Sequence, residues 1–315
     1  TPAEVCKDIS MGLYRNLCAC LINGKSEDIR TPITEDCELE LLTFDSDEGK
    51  YAFRHTASHI LAQAVKRLYP EAKLAIGPAI DNGFYYDIDS DVSFTPELLE
   101  KIEAERKKIV KEDLPLEKFE MDPQAAIEEM KAKGEIYKVE LIEEHAGKNE
   151  PISFYKQGEF VDVCAGPHIP STGRVKAFKL TACTGAYWRG DQNNKMLQRV
   201  YGTAFPKNAE LEEHLQRVEE AKKRDHNKLG RELEIFTTVD TIGQGLPILL
   251  PKGARTVQRL QRWVEDTEEA RGYLLTKTPL MAKRELYKIS GHWDHYLDGM
   301  FVLGDPDDYT KECFA

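Results

Sequence analysis

Two imidazoles near the start and, far along the chain, a thiol with a third imidazole are the groups best suited to chemistry. In His55-Thr56-Ala57-Ser58-His59 the i,i+4 spacing sets both histidines on one side of a helix. Ala57, Ile60, Leu61, Ala64, Val65 and Leu68 form the apolar face, and His55 and His59 fall opposite it, in line with Ala62 and Lys66. That placement argues against core histidines and leaves a reactive pair or two exposed imidazoles. The second group is Asp162-Val163-Cys164-Ala165-Gly166-Pro167-His168. Alone, Cys-x3-His is a weak signal, since Cys164 also suits a buried small hydrophobe and His168 a loop. Together the two groups supply the ligand types of a tetrahedral zinc site. They would equally serve a metal-free hydrolytic site, with imidazole as acid, base or water holder and Asp162 as a polarising carboxylate. Spacing alone does not choose.

A third stretch, Ala186-Tyr187-Trp188-Arg189-Gly190-Asp191-Gln192-Asn193-Asn194-Lys195-Met196 and on to Tyr201-Gly202, interleaves aromatics with Arg189, Asn193, Asn194 and Lys195. Such a surface suits an extended polar ligand such as RNA. The plainer alternative is a glycine-containing turn feeding a strand that starts at Met196.

The elements that must position these groups read as α+β. Thr1-Pro2-Ala3-Glu4 signals a helix start, residues 17–22 a strand, Asn23-Gly24 a hairpin turn and residues 38–44 another strand. A small β-grasp-like module lacking its first strand is expected, with the polar run 45–49 as its boundary. Residues 53–69 read as a helix stopped by Pro70 and 96–111 as a charged helix. Strands are expected within 75–88 and around 137–142, 152–155 and 160–163. Residues 209–229 read as one long polar helix linking two domains. A helix near 254–270 and a strand at 273–278 open a further unit, and both chain ends look cut.

With 315 residues, two or three domains are expected. No apolar run approaches the roughly 20 residues of a membrane span and no signal peptide is visible. Seven cysteines, an odd number in a long chain, suit a reducing, cytoplasmic setting better than a disulfide framework. The net charge of −12 disfavours non-specific nucleic-acid binding over the whole surface but leaves room for a local basic groove. Lys222, Lys223, Arg224 and Lys228, with Arg189, Lys195 and Arg199, could supply one; the first four equally suit a solvated helix face.

Taken in order, these motifs resemble bacterial threonyl-tRNA synthetases. His55-x3-His59, the run Ile76-Gly77-Pro78-Ala79-Ile80-Asp81-Asn82-Gly83-Phe84-Tyr85-Tyr86-Asp87, Cys164-x-Gly166-Pro167-His168 and the Tyr187–Gly202 signature are similar to the family's editing domain. Residues 1–44 resemble the end of its N-terminal TGS-type β-grasp domain. In 227–315, the helix near 254–270 with Pro279 matches motif 1 of the class II catalytic domain, and Ser290-Gly291-His292-Trp293 matches a further family motif.

The resemblance implies a multidomain α+β chain: a truncated β-grasp module (1–46), an α+β editing domain (47–206), a linker helix (207–229) and part of a class II antiparallel-sheet catalytic domain (230–315). It implies ATP-dependent attachment of threonine to tRNA(Thr) in the intact enzyme and hydrolysis of mischarged seryl-tRNA(Thr) in this segment. Rejecting serine, smaller by one methyl, through lost packing gives only about 1–3 kcal/mol, so a second, hydrolytic site is the physical remedy. By resemblance His55, His59, Cys164, His168, Asp162 and Lys138 are catalytic, and Tyr86, Arg189, Asn193, Asn194, Lys195 and His292 contact substrate. No metal is expected in the editing site; were zinc held there, His55, His59, Cys164 and His168 would be its ligands. The intact enzyme is expected to use one catalytic zinc whose ligands lie past residue 315, to dimerise through motif 1, and to need more than this segment to make threonyl-adenylate. Two competing readings are a zinc-dependent alanyl-type aminoacyl-tRNA deacylase and a non-catalytic tRNA-binding protein. Residues 1–44 and the motif 1 helix speak against the first, and the intact set of cleft residues against the second.

Overall fold

The Thr1 hydroxyl accepts from the Glu4 amide while the Glu4 carboxylate reaches back to the Thr1 backbone, a capping box at the head of α1 (Pro2–Ile9). Residues 1–315 are described in this computed structural model except 147–151, 244, 309–312 and 315. A second helix, α2 (Met11–Asn16), follows at once. Ser10 caps it through the amides of Gly12 and Leu13, a signal the sequence reading passed over. Strands β1 (Ala19–Ile22), β2 (Lys25–Glu27) and β3 (Leu39–Leu42) pair antiparallel in the order β2-β1-β3. The β1–β2 hairpin turns on Asn23 and Gly24, with φ of 50° and 75°, the left-handed pair that such a two-residue turn requires.

The polar run 45–49 holds the start of a helix. Ser46 accepts from the Gly49 amide at the head of α3 (Asp47–Leu68), acids fill its first turn, and Lys66 and Arg67 its last. Every residue of α3 from Ala52 to Val65 is buried. One face packs Ala57, Ile60, Leu61 and Ala64 against Phe84, Ile88 and Val200. These belong to a five-stranded sheet of β4 (Lys73–Leu74), β5 (Ala79–Ile80), β6 (Gly83–Asp89) and the later β10 (Ala177–Tyr187) and β11 (Met196–Phe205). It runs β10-β11-β6-β4, with β5 on β6.

Between these strands lie α4 (Pro96–Glu112), β7 (Leu116–Met121), α5 (Pro123–Ala132), α6 (Ile136–Ala146), β8 (Ile152–Gln157) and β9 (Phe160–Val163). Strands β7-β8-β9 form a second antiparallel sheet. It covers the other face of α3: the Gln157 amide donates to the His59 carbonyl and to Gln63, and Phe160 meets the His59 ring edge-on. Here the sequence expectation needs correction. The side of α3 opposite its apolar face is not solvent-exposed, because a second sheet closes over it.

The strand expected around 137–142 is the helix α6. Tyr137, Val139 and Leu141 alternate as in a strand, but Tyr137 and Leu141 join Ala75, Trp188 and Leu197 while Val139 and Ile142 join Phe154. Two apolar clusters on two sides of one helix imitate a period of two.

The described chain divides into the compact units Thr1–Ala221 and Lys222–Ala315. The long helix expected at 209–229 is two helices, α7 (Asn208–Lys223) and α8 (His226–Glu232). Asp225 interrupts them and caps the second through the Lys228 amide. In the second unit β12 (Phe236–Thr237) pairs antiparallel with β13 (Ile248–Leu249), followed by α9 (Pro251–Ala270), α10 (Arg284–Ile289) and α11 (His292–His295). Residues 273–278, expected as a strand, have no regular structure. Leu274 and Leu275 are largely exposed, and among the described residues no strand pairs with theirs. No described helix is long and apolar enough to cross a membrane.

Candidate active site

Helix α3 and the loop after β9 bring the four anticipated groups together. Sγ of Cys164 lies 3.3 Å from Nε2 of His55 and 3.3 Å from Nε2 of His168. The His55 and His168 rings stack at 4.3 Å, and His59 packs against His168 at the same centroid distance. One ligand atom from each of the four lies within 4.8 Å of the others. The loop reaches this position because Gly166 adopts φ 77°, donates its amide to Cys164 Sγ at 3.2 Å and lets the Tyr155 hydroxyl pass over its Cα. A methyl group there would be strained twice. Gly166→Ala is expected to cost about 1–2 kcal/mol for the left-handed backbone and about 1–3 kcal/mol for overpacking, read as a lower urea midpoint at unchanged slope.

Behind the cluster is a buried triangle. Lys138 Nζ is 2.6 Å from Asp162 Oδ1 and donates to the Tyr86 hydroxyl at 3.0 Å. Tyr86 in turn donates to Asp162 Oδ2 at 2.6 Å. All three side chains are nearly inaccessible, so each needs the other two. Asp162 also faces His59 Nε2 at 3.9 Å. Burial alone would raise the Asp162 pKa, but the Lys138 charge, His59 and the two hydrogen bonds hold it below the usual carboxylate value. Asp162 is therefore an anion at neutral pH. Burial, then Asp162, pushes the Tyr86 phenol well up.

The same burial neutralises the imidazoles. His55 is lowered to about 3, by burial and then by His59, and His59 to about 4, burial outweighing the pull of Asp162. Burial and the two neighbouring histidines press His168 well down as well. Burial pushes the Cys164 thiol up to about 12, against the Gly166 amide. At neutral pH the cluster thus presents neutral rings and a protonated thiol, suited to hold and polarise a water rather than to launch a thiolate.

Two residues that fix this geometry were missed in the sequence. Thr56, between the two histidines, bonds His168 Nδ1 at 3.0 Å through Oγ1 and receives the Ile169 amide at 3.2 Å. Tyr155 packs edge-on against the His168 ring at 4.4 Å. Neither carries a sequence signal, since Thr56 meets a segment distant in the chain and Tyr155 meets His168 only through the path of the loop between them.

The remaining anticipated residues lie elsewhere. Arg189 pairs with Glu144 and, at 3.6 Å, with Glu140, both on α6, the helix that carries Lys138. Asn193 Nδ2 donates to Asp191, Asn194 Nδ2 to the Trp188 carbonyl, and Lys195 pairs with Asp89 at 2.7 Å. Among the described residues no hydrogen bond or ion pair runs from these four to the His/Cys cluster. The stretch is a turn feeding β11. His292 belongs to the second unit, where Nδ1 meets Ser290 Oγ at 3.0 Å.

A central helix carrying His-x3-His between two antiparallel sheets, met by a Cys-x3-His loop, defines a class of domain. Residues 152–201 match the family model of the threonyl and alanyl tRNA synthetase second additional domain. Along the whole chain, the similarity is to threonine–tRNA ligases. Identity is 63% over 312 residues with the ligase of one Clostridium botulinum strain, 61% over 312 with that of Clostridium perfringens and 54% over 311 with that of Clostridium acetobutylicum. These alignments cover 98–99% of this chain and 48% of each relative, so the chain spans about half the length of the ligases it matches.

Proposed function

We propose that this chain carries the hydrolytic editing site of a threonine–tRNA ligase, and that His55, His59, Cys164 and His168 clear seryl-tRNA(Thr). The observation that carries the reading is the convergence of these four side chains, from two distant segments, beside the buried Lys138–Asp162–Tyr86 triangle. In this reading residues 1–46 are the TGS-like module, 47–206 the editing domain, 207–229 the linker and 230–315 the start of the class II catalytic domain. The whole protein would couple ATP to threonylation of tRNA(Thr) as a homodimer, with its catalytic zinc bound outside this segment.

The hydrolytic step needs a water placed against the ester carbonyl and a proton for the leaving ribose oxygen. Neutral imidazoles accept from the water, while the Cys164 thiol and the Lys138 ammonium are the donors at hand. Tyr86, held by Lys138 and Asp162, would line the aminoacyl pocket. Arg189, Asn193, Asn194 and Lys195 would meet the RNA on the outer flank of α6, and His292 would serve the synthetic site. A pocket that admits the serine hydroxymethyl group and clashes with the threonine methyl leaves the correct product intact. Deacylation of seryl-, threonyl- and alanyl-tRNA assayed in parallel tests this. Hydrolysis of seryl-tRNA alone is expected; preference for alanyl-tRNA would move the chain to the alanyl-type deacylases, and no hydrolysis of any would leave a tRNA-binding protein.

The donor set itself favours one second reading, a zinc site. Three imidazole nitrogens and a thiolate fit tetrahedral zinc, which when bound would polarise the ester carbonyl or a water. Against it, four protein donors fill the tetrahedron and leave no position open for substrate. Among the described residues, moreover, His59 Nδ1 is buried without the acceptor that a ligating imidazole ordinarily has behind it. Hydrolysis by protein dialysed against a strong chelator is therefore expected to persist. Loss of activity restored by zinc alone would overturn the metal-free assignment.

A further inference from the structure

The third imidazole is held by a segment that lies more than a hundred residues before it in the chain. Arg30, in the loop after β2, donates through Nη1 to the His168 carbonyl at 3.2 Å and through Nη2 to the Ile169 and Pro170 carbonyls at 2.9 and 3.5 Å. Its guanidinium is locked in turn by Asp28, whose Oδ1 and Oδ2 lie 3.1 and 3.2 Å from Nη1. Asp28 is itself buried and accepts the Tyr155 hydroxyl at 2.6 Å. Tyr155 is the residue whose ring packs on His168 and whose hydroxyl crosses the Cα of Gly166. One ion pair of the N-terminal module therefore grips the segment after Cys164 twice: at the backbone of 168–170 and, through Tyr155, at the His168 ring.

Solvation of the module does not require this arrangement. A buried aspartate and a planar guanidinium matched to three successive carbonyls form a preorganised clamp, and a group displaced by about 1 Å can lose on the order of 100-fold in rate. We propose that Asp28 and Arg30 are positioning residues for His168, so that the cluster is geometrically complete only with the N-terminal module seated on residues 168–170. The inference rests on the editing reading for its kinetic consequence and stands on its own for the placement of the ring.

The test uses the full chain with Arg30→Ala, Asp28→Asn and Tyr155→Phe, the last keeping the ring on His168 while removing the bond to Asp28. Seryl-tRNA deacylation is expected to fall about 10- to 100-fold in kcat with KM within about twofold. In a His168→Ala background Arg30→Ala should add little, because it acts through that ring. Imidazole nitrogen resonances of His168 should shift in all three variants. Full kcat in the variants, or an equal penalty with and without His168, would overturn the proposal. Were the wild-type chain inactive on seryl-tRNA, the editing reading would fall separately. The resonances would then decide, with unchanged His168 signals in Arg30→Ala, or in Tyr155→Phe if Arg30→Ala does not fold, refuting the clamp.

Discussion

Replacing His55 and Cys164 together by alanine is expected to reduce seryl-tRNA hydrolysis by about 10²- to 10⁴-fold, the span of a lost acid–base pair, with the melting temperature little lowered. The two groups are in direct contact at 3.3 Å and come from different segments, so either alone should cost nearly as much as both. Partial compensation is open only to His168, which touches the same sulfur. Each variant removes a neutral side chain rather than a charge, so no unpaired charge is left behind: the ring packs on His168, His59 and Tyr51, and the thiol touches His55 and His168. Single-turnover deacylation of preformed seryl-tRNA reads the chemical step without contribution from product release. Hydrolysis at the wild-type rate by the double variant would remove these residues from the mechanism.

A second large effect is expected at Lys138. Lys138→Met removes the cation from a site where Asp162 is 3% exposed, and an uncompensated buried charge costs about 3–5 kcal/mol. Adding Asp162→Asn should return a substantial part of that loss, because a buried pair replaced on both sides leaves no unpaired charge. Activity should not return with stability, since the Tyr86 hydroxyl would lose both its donor and its anionic acceptor. Denaturant titration of the wild type, the single variant and the double variant separates the two outcomes. A double variant no more stable than the single would show that the triangle is not held by its charges. One that recovered hydrolysis would show that the triangle serves only the fold.

The two predictions divide the site by function. The His/Cys cluster is nearly charge-free at neutral pH and in this reading would meet the ester, whereas the charged Lys138–Asp162 pair would supply a proton donor and a fixed field. Such a pairing of a neutral acid–base group with a fixed field is how a buried site polarises a water without the cost of creating a charge at the moment of reaction.

What the sequence determined by itself was local and chemical. Capping residues placed the head of α1, Asn23-Gly24 placed a hairpin, Met196 the start of β11 and 160–163 an entire strand, because each depends on backbone preferences within a few residues. The types and spacings of His55, His59, Cys164 and His168 singled out the groups that the fold brings together. Tertiary structure decided whether those groups were exposed or enclosed. A helical wheel assigns one wet side to α3, yet the sheet β7-β8-β9 closes over it, and that closure is what moves the imidazoles to their neutral forms. Tertiary structure also decided that 137–142 is a helix, since alternation along a chain cannot tell one buried face from two. And it alone supplied Thr56, Tyr155, Asp28 and Arg30, because a contact across more than a hundred residues depends on the folding of everything between, and leaves no periodic trace in the chain.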